Sequence, residues 1–382
     1  MSTFIELGVP RNISDVLAKG GITAAFPIQS LAIADAIAGR DICGRAPTGS
    51  GKTLAFGIPL AVLADEAAPR RPSALVLVPT RELASQVAEA VRPLAELRGL
   101  RTATFYGGTP INKDRQRLAR GVDIAVACPG RLADLVRRRF VVLTDVRLAV
   151  VDEADRMADM GFLPEVKRLL DQTHAQRQTL LFSATLDGDV DVLVSRYQRD
   201  PVRFEVAGSD DDQGDVQHLF WNTPAHQRLA VTADIVRNAS PAIVFTRTKR
   251  GADRLAKQLG RHGVSAAAIH GDRSQRQRER ALADFGARRV TTLVATDVAA
   301  RGIHVDEVGV VVHYDPAGTG KDYVHRSGRT GRAGADGLVV TLVAPDKARD
   351  VRAMQRSLGM RQDVAPVRMD AVTGGRPVPR VA

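Results

Sequence analysis

Short apolar runs rich in β-branched residues, bounded by polar or helical segments, constrain this chain more than any other feature. The first half carries ALVLVP from Ala74, DIAVACP from Asp123, RLAVVDEAD from Arg147 and TLLFSAT from Thr179. The second half carries AIVFT from Ala242, AAAIH from Ala266, TTLVATD from Thr291, VGVVVHYD from Val308 and GLVVTLV from Gly337. Apolarity without in–out alternation means that both faces of a strand are covered, as in parallel sheets with crossover helices on each side. Most of these runs end in polar residues, and in open α/β sheets ligands sit just beyond the carboxyl ends of the strands. The expected fold class is α/β, with functional residues gathered at one edge of each sheet.

Between the two sets lies VAGSDDDQGDVQ, Val206 to Gln217, with neither a helical nor a strand period. It reads as a linker, placed at residues 208–217, between a domain over 1–207 and a second over 218–345. Residues 346–382 open as a plausible short helix and end in TGGRPVPRVA, which reads as a basic, partly disordered tail. There is no repeat of solenoid length.

Composition narrows the function classes. The chain has 382 residues, 44% of them hydrophobic, enough for two or three domains with cores of their own. No stretch approaches the roughly 20 apolar residues of a membrane span, and MSTFIELGVP lacks the charged and apolar regions of an export signal. Cys43 and Cys128 are the only cysteines and stand far apart, which argues against a disulfide framework or a zinc site. A cytoplasmic protein is expected. The net charge of +11 favours a polyanionic partner. Aromatic residues are only 4%, too few for an extended base-stacking platform, so a nucleic acid would be gripped by its sugar-phosphate backbone.

APTGSGKT, Ala46 to Thr53, nearly spells the phosphate-binding loop, with alanine in place of its first glycine. Such a loop needs backbone N–H groups around the phosphates, a lysine for the β/γ oxygens and a hydroxyl for Mg²⁺. Gly49, Gly51, Lys52 and Thr53 supply them; a Gly/Ser/Thr-rich turn is the plain alternative. Downstream, VVDEAD places Asp152 and Glu153 at the end of an apolar strand. Hydrolysis of a nucleoside triphosphate needs one acidic group to hold Mg²⁺ and another to orient or deprotonate water. Asp152 suits the first role and Glu153 the second. In the second half, HRSGRTGRAG brings Arg326, Arg329 and Arg332 at intervals of three. Guanidinium groups so placed can stabilise the charge that develops on a transferring phosphoryl group. If loop and arginines serve one nucleotide, the expectation is an interdomain site that closes for hydrolysis.

The ordered set APTGSGKT, PTREL (Pro79 to Leu83), Gly107-Gly108, PGR (Pro129 to Arg131), DEAD (Asp152 to Asp155), SAT (Ser183 to Thr185), ATDVAARG (Ala295 to Gly302) and HRSGRTGR resembles the DEAD-box ATP-dependent RNA helicases. The resemblance runs from about residue 4 to 345, and alanine is the usual first loop residue in that family. It implies two tandem RecA-like domains, each a mostly parallel sheet with helices on both faces. It also implies ATP and Mg²⁺ as cofactors and RNA as partner, in a protein expected to be a monomer.

The same resemblance assigns roles residue by residue. ATP would be held by Ala46, Thr48, Gly49, Ser50, Gly51, Lys52 and Thr53, with Gly302 and His304 from the second domain. GITAAFPIQ from Gly21 looks like the adenine-reading element, with Gln29 bonding the base and Phe4 packing on it; the plain alternative for Phe4 is an anchor for the N-terminus. Mg²⁺ would lie on Thr53 and Asp152. Catalysis would use Lys52, Asp152, Glu153, Arg329 and Arg332. RNA would contact Pro79, Thr80, Arg81, Gly107, Gly108, Pro129, Gly130 and Arg131, then Thr246, His270, Gly271, Gln275, Arg278 and Thr296. Asp155, Ser183, Thr185, Asp297 and His325 would couple the two sites.

Four residues depart from the family pattern: Ile22 stands for Phe, Ala25 for Pro, Cys128 for Thr, and His304 for the Asp that meets the ribose and the catalytic arginine. A neutral imidazole cannot form that carboxylate pair, so weaker closure on ATP and pH sensitivity near 6–7 are expected. The expected activity is RNA-stimulated ATP hydrolysis with clamping of single strands and local opening of short duplexes. An ATP-gated RNA clamp with little unwinding, and a DNA helicase or translocase of the same superfamily, are the competing expectations.

Overall fold

The computed structural model describes residues 2–46, 50–186, 188–206, 215–297, 308–331 and 336–373. The chain divides into two compact units, Met1–Gly208 and Ser209–Ala382. In the first, α1 (Arg11–Lys19) and α2 (Pro27–Ile37) precede β1 (Ile42–Arg45) and α3 (Lys52–Leu63). Then follow β2 (Ala74–Leu77), α4 (Arg81–Ala95), β3 (Thr102–Phe105), α5 (Ile111–Arg120), β4 (Ile124–Ala127) and α6 (Pro129–Arg137). The unit ends with β5 (Leu148–Asp152), α7 (Ala154–Asp159), α8 (Leu163–Leu170), β6 (Gln178–Ser183), α9 (Asp189–Tyr197) and β7 (Val202–Glu205).

All pairings are parallel, in the order β3-β4-β2-β5-β6-β1-β7. Alternate residues of one strand point to opposite faces. Leu75 and Leu77 of β2 and Ala149 and Val151 of β5 enter one apolar cluster; Ala74 and Val76, with Leu148 and Val150, enter another. This is why the runs read as continuously apolar.

The second unit repeats the plan. It comprises β8 (Val216–Asn222), α10 (Arg228–Asn238), β9 (Ala242–Phe245), α11 (Lys249–Arg261), β10 (Ala266–Ile269), α12 (Gln275–Gly286), β11 (Thr292–Ala295) and β12 (Val310–His313). Helix Gly320–Ser327, β13 (Gly337–Val343), helix Ala348–Ser357 and β14 (Val364–Pro366) complete it. The sheet order is β10-β11-β9-β12-β13-β8-β14, all parallel. Counting strands from the first of each unit, both sheets run 3-4-2-5-6-1-7.

Two boundaries differ from the sequence reading. Val216 and Gln217, read as linker, are the start of β8. Residues 346–373, read as the start of a tail, belong to the second unit. Val351 and Met354 of helix Ala348–Ser357 pack into one of its cores, Val372 packs into the other, and β14 pairs with β8 as β7 does with β1. A three-residue edge strand ending in proline has too little pattern to be seen beside a basic sequence. No described helix is long and apolar enough to cross a membrane.

Candidate functional site

Along the first sheet, the carboxyl edge sorts the candidate residues into two groups. Gly107-Gly108, Pro129–Arg131 and Pro79–Arg81 follow β3, β4 and β2, three neighbouring strands. Asp152-Glu153, Ser183–Thr185 and the loop from Ala46 follow β5, β6 and β1, the next three. With strands about 4.8 Å apart, the two groups share one edge roughly 24 Å long.

The second group is wired through Ser183. The Ala46 N–H donates to the Ser183 carbonyl at 3.0 Å, and the Asp155 N–H donates to Ser183 Oγ at 3.1 Å. Lys52, the first residue of α3, is buried and donates from Nζ to the Ala46 carbonyl at 2.9 Å. Phosphate-loop entry, DEAD segment and SAT segment thus meet on one serine. Burial pushes the Asp152 carboxyl up to about 7; Lys52 opposes the shift, and the charges of Glu153 and Asp155 reinforce it. Glu153 caps α7 in the left-handed region (φ 53°) and accepts from Arg156 Nη1 at 2.5 Å through Oε2, a pair buried on both sides.

Gln29 ties α2 to the loop. Its Oε1 accepts from the Phe26 N–H at 2.9 Å, and its Nε2 donates to the Gly51 carbonyl at 3.0 Å. Gly51 caps α3 at φ 86°, where a Cβ would stand 2.6 Å from Gln29 Nε2 and 2.7 Å from the Phe26 ring. Only glycine fits, for the backbone and for the space alike.

At the RNA-type group, Thr80 caps α4 by accepting from the Leu83 N–H, and Pro129 opens α6. Helix N-termini at a strand edge suit phosphate. Arg81 lays its guanidinium against Gly108 (φ 85°), so closely that a Cβ there would overlap it. Arg131 donates from Nη1 to Asp114 Oδ2 at 2.5 Å and from Nη2 to the Thr109 carbonyl at 2.7 Å.

In the second unit the equivalent strands β10, β11 and β9 end at His270-Gly271, Thr296 and Thr246. His270 Nε2 lies 2.9 Å from Asp253, Gln275 opens α12 and donates to Glu279, and Thr246, Thr296 and Arg278 are buried. Arg326 forms a two-pronged bond to Asp297 (2.5 and 2.8 Å), donates to the Asp315 carbonyl at 2.7 Å, and lies 5.1 Å from the Phe245 ring centre. Arg329 follows the helix end and donates from Nε to the His325 carbonyl at 3.3 Å.

Two family models match the chain: DEAD/DEAH box helicase over residues 26–193 and the helicase conserved C-terminal domain over 226–334. The DEAD-box ATP-dependent RNA helicase CshA of Bacillus licheniformis is 35% identical over 382 residues, covering 98% of this chain and 78% of that protein. This chain belongs to the DEAD-box helicase family. The DEAD-box ATP-dependent RNA helicase 30 of Arabidopsis thaliana is 39% identical over 381 residues, 97% of this DEAD-box chain but only 64% of the relative's length. The solved structure of S. cerevisiae Dbp5 bound to RNA and ADP BeF3 matches with a TM-score of 0.81 at 26% identity, covering 97% of this chain and 96% of that one. Two RecA-like units, each with a seven-stranded parallel sheet, are the fold of this DEAD-box chain.

Against that fold, the sequence reading needs several corrections and additions. Phe4 is 3% exposed and packs among Val9, Ile13, Leu17 and Ile58, so its ring anchors the N-terminal segment and has little face to offer a base. The exposed aromatic beside Gly51 is Phe26, at 54%, and its place inside GITAAFPIQ carries no signal of that role. Arg326, at 4% exposure, is held by Asp297 and the Asp315 carbonyl, so it serves the interior of the second unit. Thr48, Gly49, Gly302, His304 and Arg332 lie outside the described residues. Arg156 and Asp114, the partners of Glu153 and Arg131, carried no signal in spacing alone.

Proposed function

We propose that this chain is an RNA-stimulated ATPase that grips RNA by its backbone and opens short duplexes locally. The observation that carries this reading is the division of one sheet edge. A buried lysine, an acidic pair and a glycine-capped helix occupy three strand ends; helix N-termini and a glycine pair under an arginine occupy the next three.

In this reading Lys52 and the α3 N-terminus hold the triphosphate, and Gln29 and Phe26 lie where the base emerges from the loop. Glu153 orients or deprotonates the attacking water, with Arg156 fixing its carboxylate. Thr53 and Asp152 would hold Mg²⁺: hydroxyl plus carboxylate is the hard-oxygen set that Mg²⁺ takes when phosphates supply further ligands. Asp152 fits that role, since burial beside two other acids leaves its charge under-neutralised. When bound, the ion supplies neutralisation of the β/γ oxygens. Arg329 and Arg332 are the residues of the second unit whose guanidinium chemistry suits the charge that develops on a transferring phosphoryl group. Ser183 transmits the nucleotide state, because it bonds both the loop entry and Asp155. Backbone grip leaves RNA sequence unread, whereas the 2′-OH allows RNA to be told from DNA.

ATP turnover measured with single-stranded RNA and with DNA of the same sequence tests the reading. RNA should stimulate strongly and DNA little. Equal stimulation would favour a DNA or indifferent translocase, and none would end the proposal. A gel assay on a short RNA duplex then separates a helicase from a clamp that binds without parting strands.

A further inference from the structure

Arg131 lies in a segment that the sequence assigns to RNA contact, yet its donors are turned inward. Its side chain is 10% exposed, and its partner Asp114 on α5 is 2% exposed. Nη1 is bonded to Asp114, while Nη2 reaches the carbonyl of Thr109, the residue after Gly107-Gly108. Thr109 Oγ1 in turn donates to the Tyr106 carbonyl at 3.1 Å, closing the turn that carries the two glycines. Above that turn sits Arg81, in contact with Gly108. One buried ion pair therefore ties together the ends of β4 and β3 and the start of α5.

We infer that the Asp114–Arg131 pair is a positioning device that sets the height and tilt of the Gly107–Gly108 turn beneath Arg81, and that Arg131 does not itself contact RNA. The inference rests on the RNA-binding reading above and deepens it. A guanidinium whose Nη1 and Nη2 are held by a carboxylate and a carbonyl, on a side chain only 10% exposed, has little surface left to offer a phosphate, whereas Arg81 and the exposed Gly108 need no rearrangement. The geometry also gives α5 a functional part, since it contributes a carboxylate to a surface that otherwise attracts anions.

That carboxylate provides a test whose sign opposes simple electrostatics. Removing a negative charge near a polyanion site should tighten RNA binding or leave it alone. If Asp114 positions the turn, Asp114→Asn should instead raise the RNA concentration for half-maximal ATPase at least about threefold. The rate at saturating RNA should change less, and Asp114→Glu should restore part of the loss. Unchanged or tighter RNA binding in Asp114→Asn overturns the inference. Should that variant fail to fold, Arg131→Lys decides. It keeps the charge but cannot serve both partners, so a loss matching Arg131→Ala supports positioning, and retained RNA affinity contradicts it. The parent protein is the control: without RNA stimulation there, the RNA-binding reading itself fails, and the variants are not what shows it.

Discussion

The two units share a strand order and differ in what the first strand leads to. β1 is followed by the phosphate loop and α3, whose first residue is the buried Lys52. Its counterpart β8 is followed by TPAHQ, Thr223 to Gln227, in which the buried Thr223 bonds back to the Trp221 carbonyl at 3.0 Å. On the other half of the edge the units agree: β3, β4 and β2 in one, and β10, β11 and β9 in the other, end in the residues proposed to hold RNA. Under the proposed function, the difference means that the fold serves twice for grip and once for the nucleotide. In the second unit Arg326, on the helix that follows β12, reaches Asp297 just after β11 and lies over Phe245 at the end of β9, so an internal ion pair joins the two halves of that edge.

The largest expected effect separates the units most sharply. Lys52→Ala should lower ATP turnover by more than about 10³-fold, because it removes the cation of the loop. His226→Ala, in the loop after β8, should leave ATP half-saturation within about twofold, as an exposed surface change does. Comparable losses in both would mean that the second edge also binds nucleotide, and the contrast would collapse.

Arg329→Ala should come next, lowering turnover by about 10³-fold while changing ATP affinity far less, as loss of a transition-state guanidinium does. An affinity loss without a rate loss would make it a ground-state contact. The shared half of the edge predicts smaller and parallel effects on RNA. Arg81→Ala should raise RNA half-saturation about tenfold, and Thr246→Val about threefold, because a charge-assisted bond outweighs a neutral one. An effect confined to one unit would show that only that sheet grips RNA. Smallest is His304→Asp, expected to lower ATP half-saturation a few-fold and to flatten the pH profile between about 6 and 7. An unchanged affinity and profile would remove the claim.

How much of this was legible depends on burial. β2, β4, β5, β6, β9 and β11 to β13 were readable because both faces are covered and the residues run apolar, whereas β10, a half-buried edge strand, was readable only because AAAI is itself apolar. β7 alternates partly buried and exposed residues, β14 is three residues long, and β1 is ICGR, interrupted by glycine and arginine. β3 is half-exposed at a sheet edge, and β8 begins directly after an acidic stretch. Edge and short strands lack the pattern that interior strands must have. The grouping of the candidate site was legible where motif residues follow neighbouring strands, as with Lys52 and the DEAD acids. It was hidden where a role depends on a partner: the inward turn of Arg326, the burial of Phe4 and the pairing of Arg131 with Asp114 are fixed by packing, which spacing does not encode.

The central claim is that a nucleotide held by the first unit controls an RNA grip built on both. RNA release from Glu153→Gln tests it most directly, since that change should stop hydrolysis while leaving the loop intact. In ATP this variant should release RNA at least about tenfold more slowly than in ADP. Equally rapid release in both nucleotides would contradict the account.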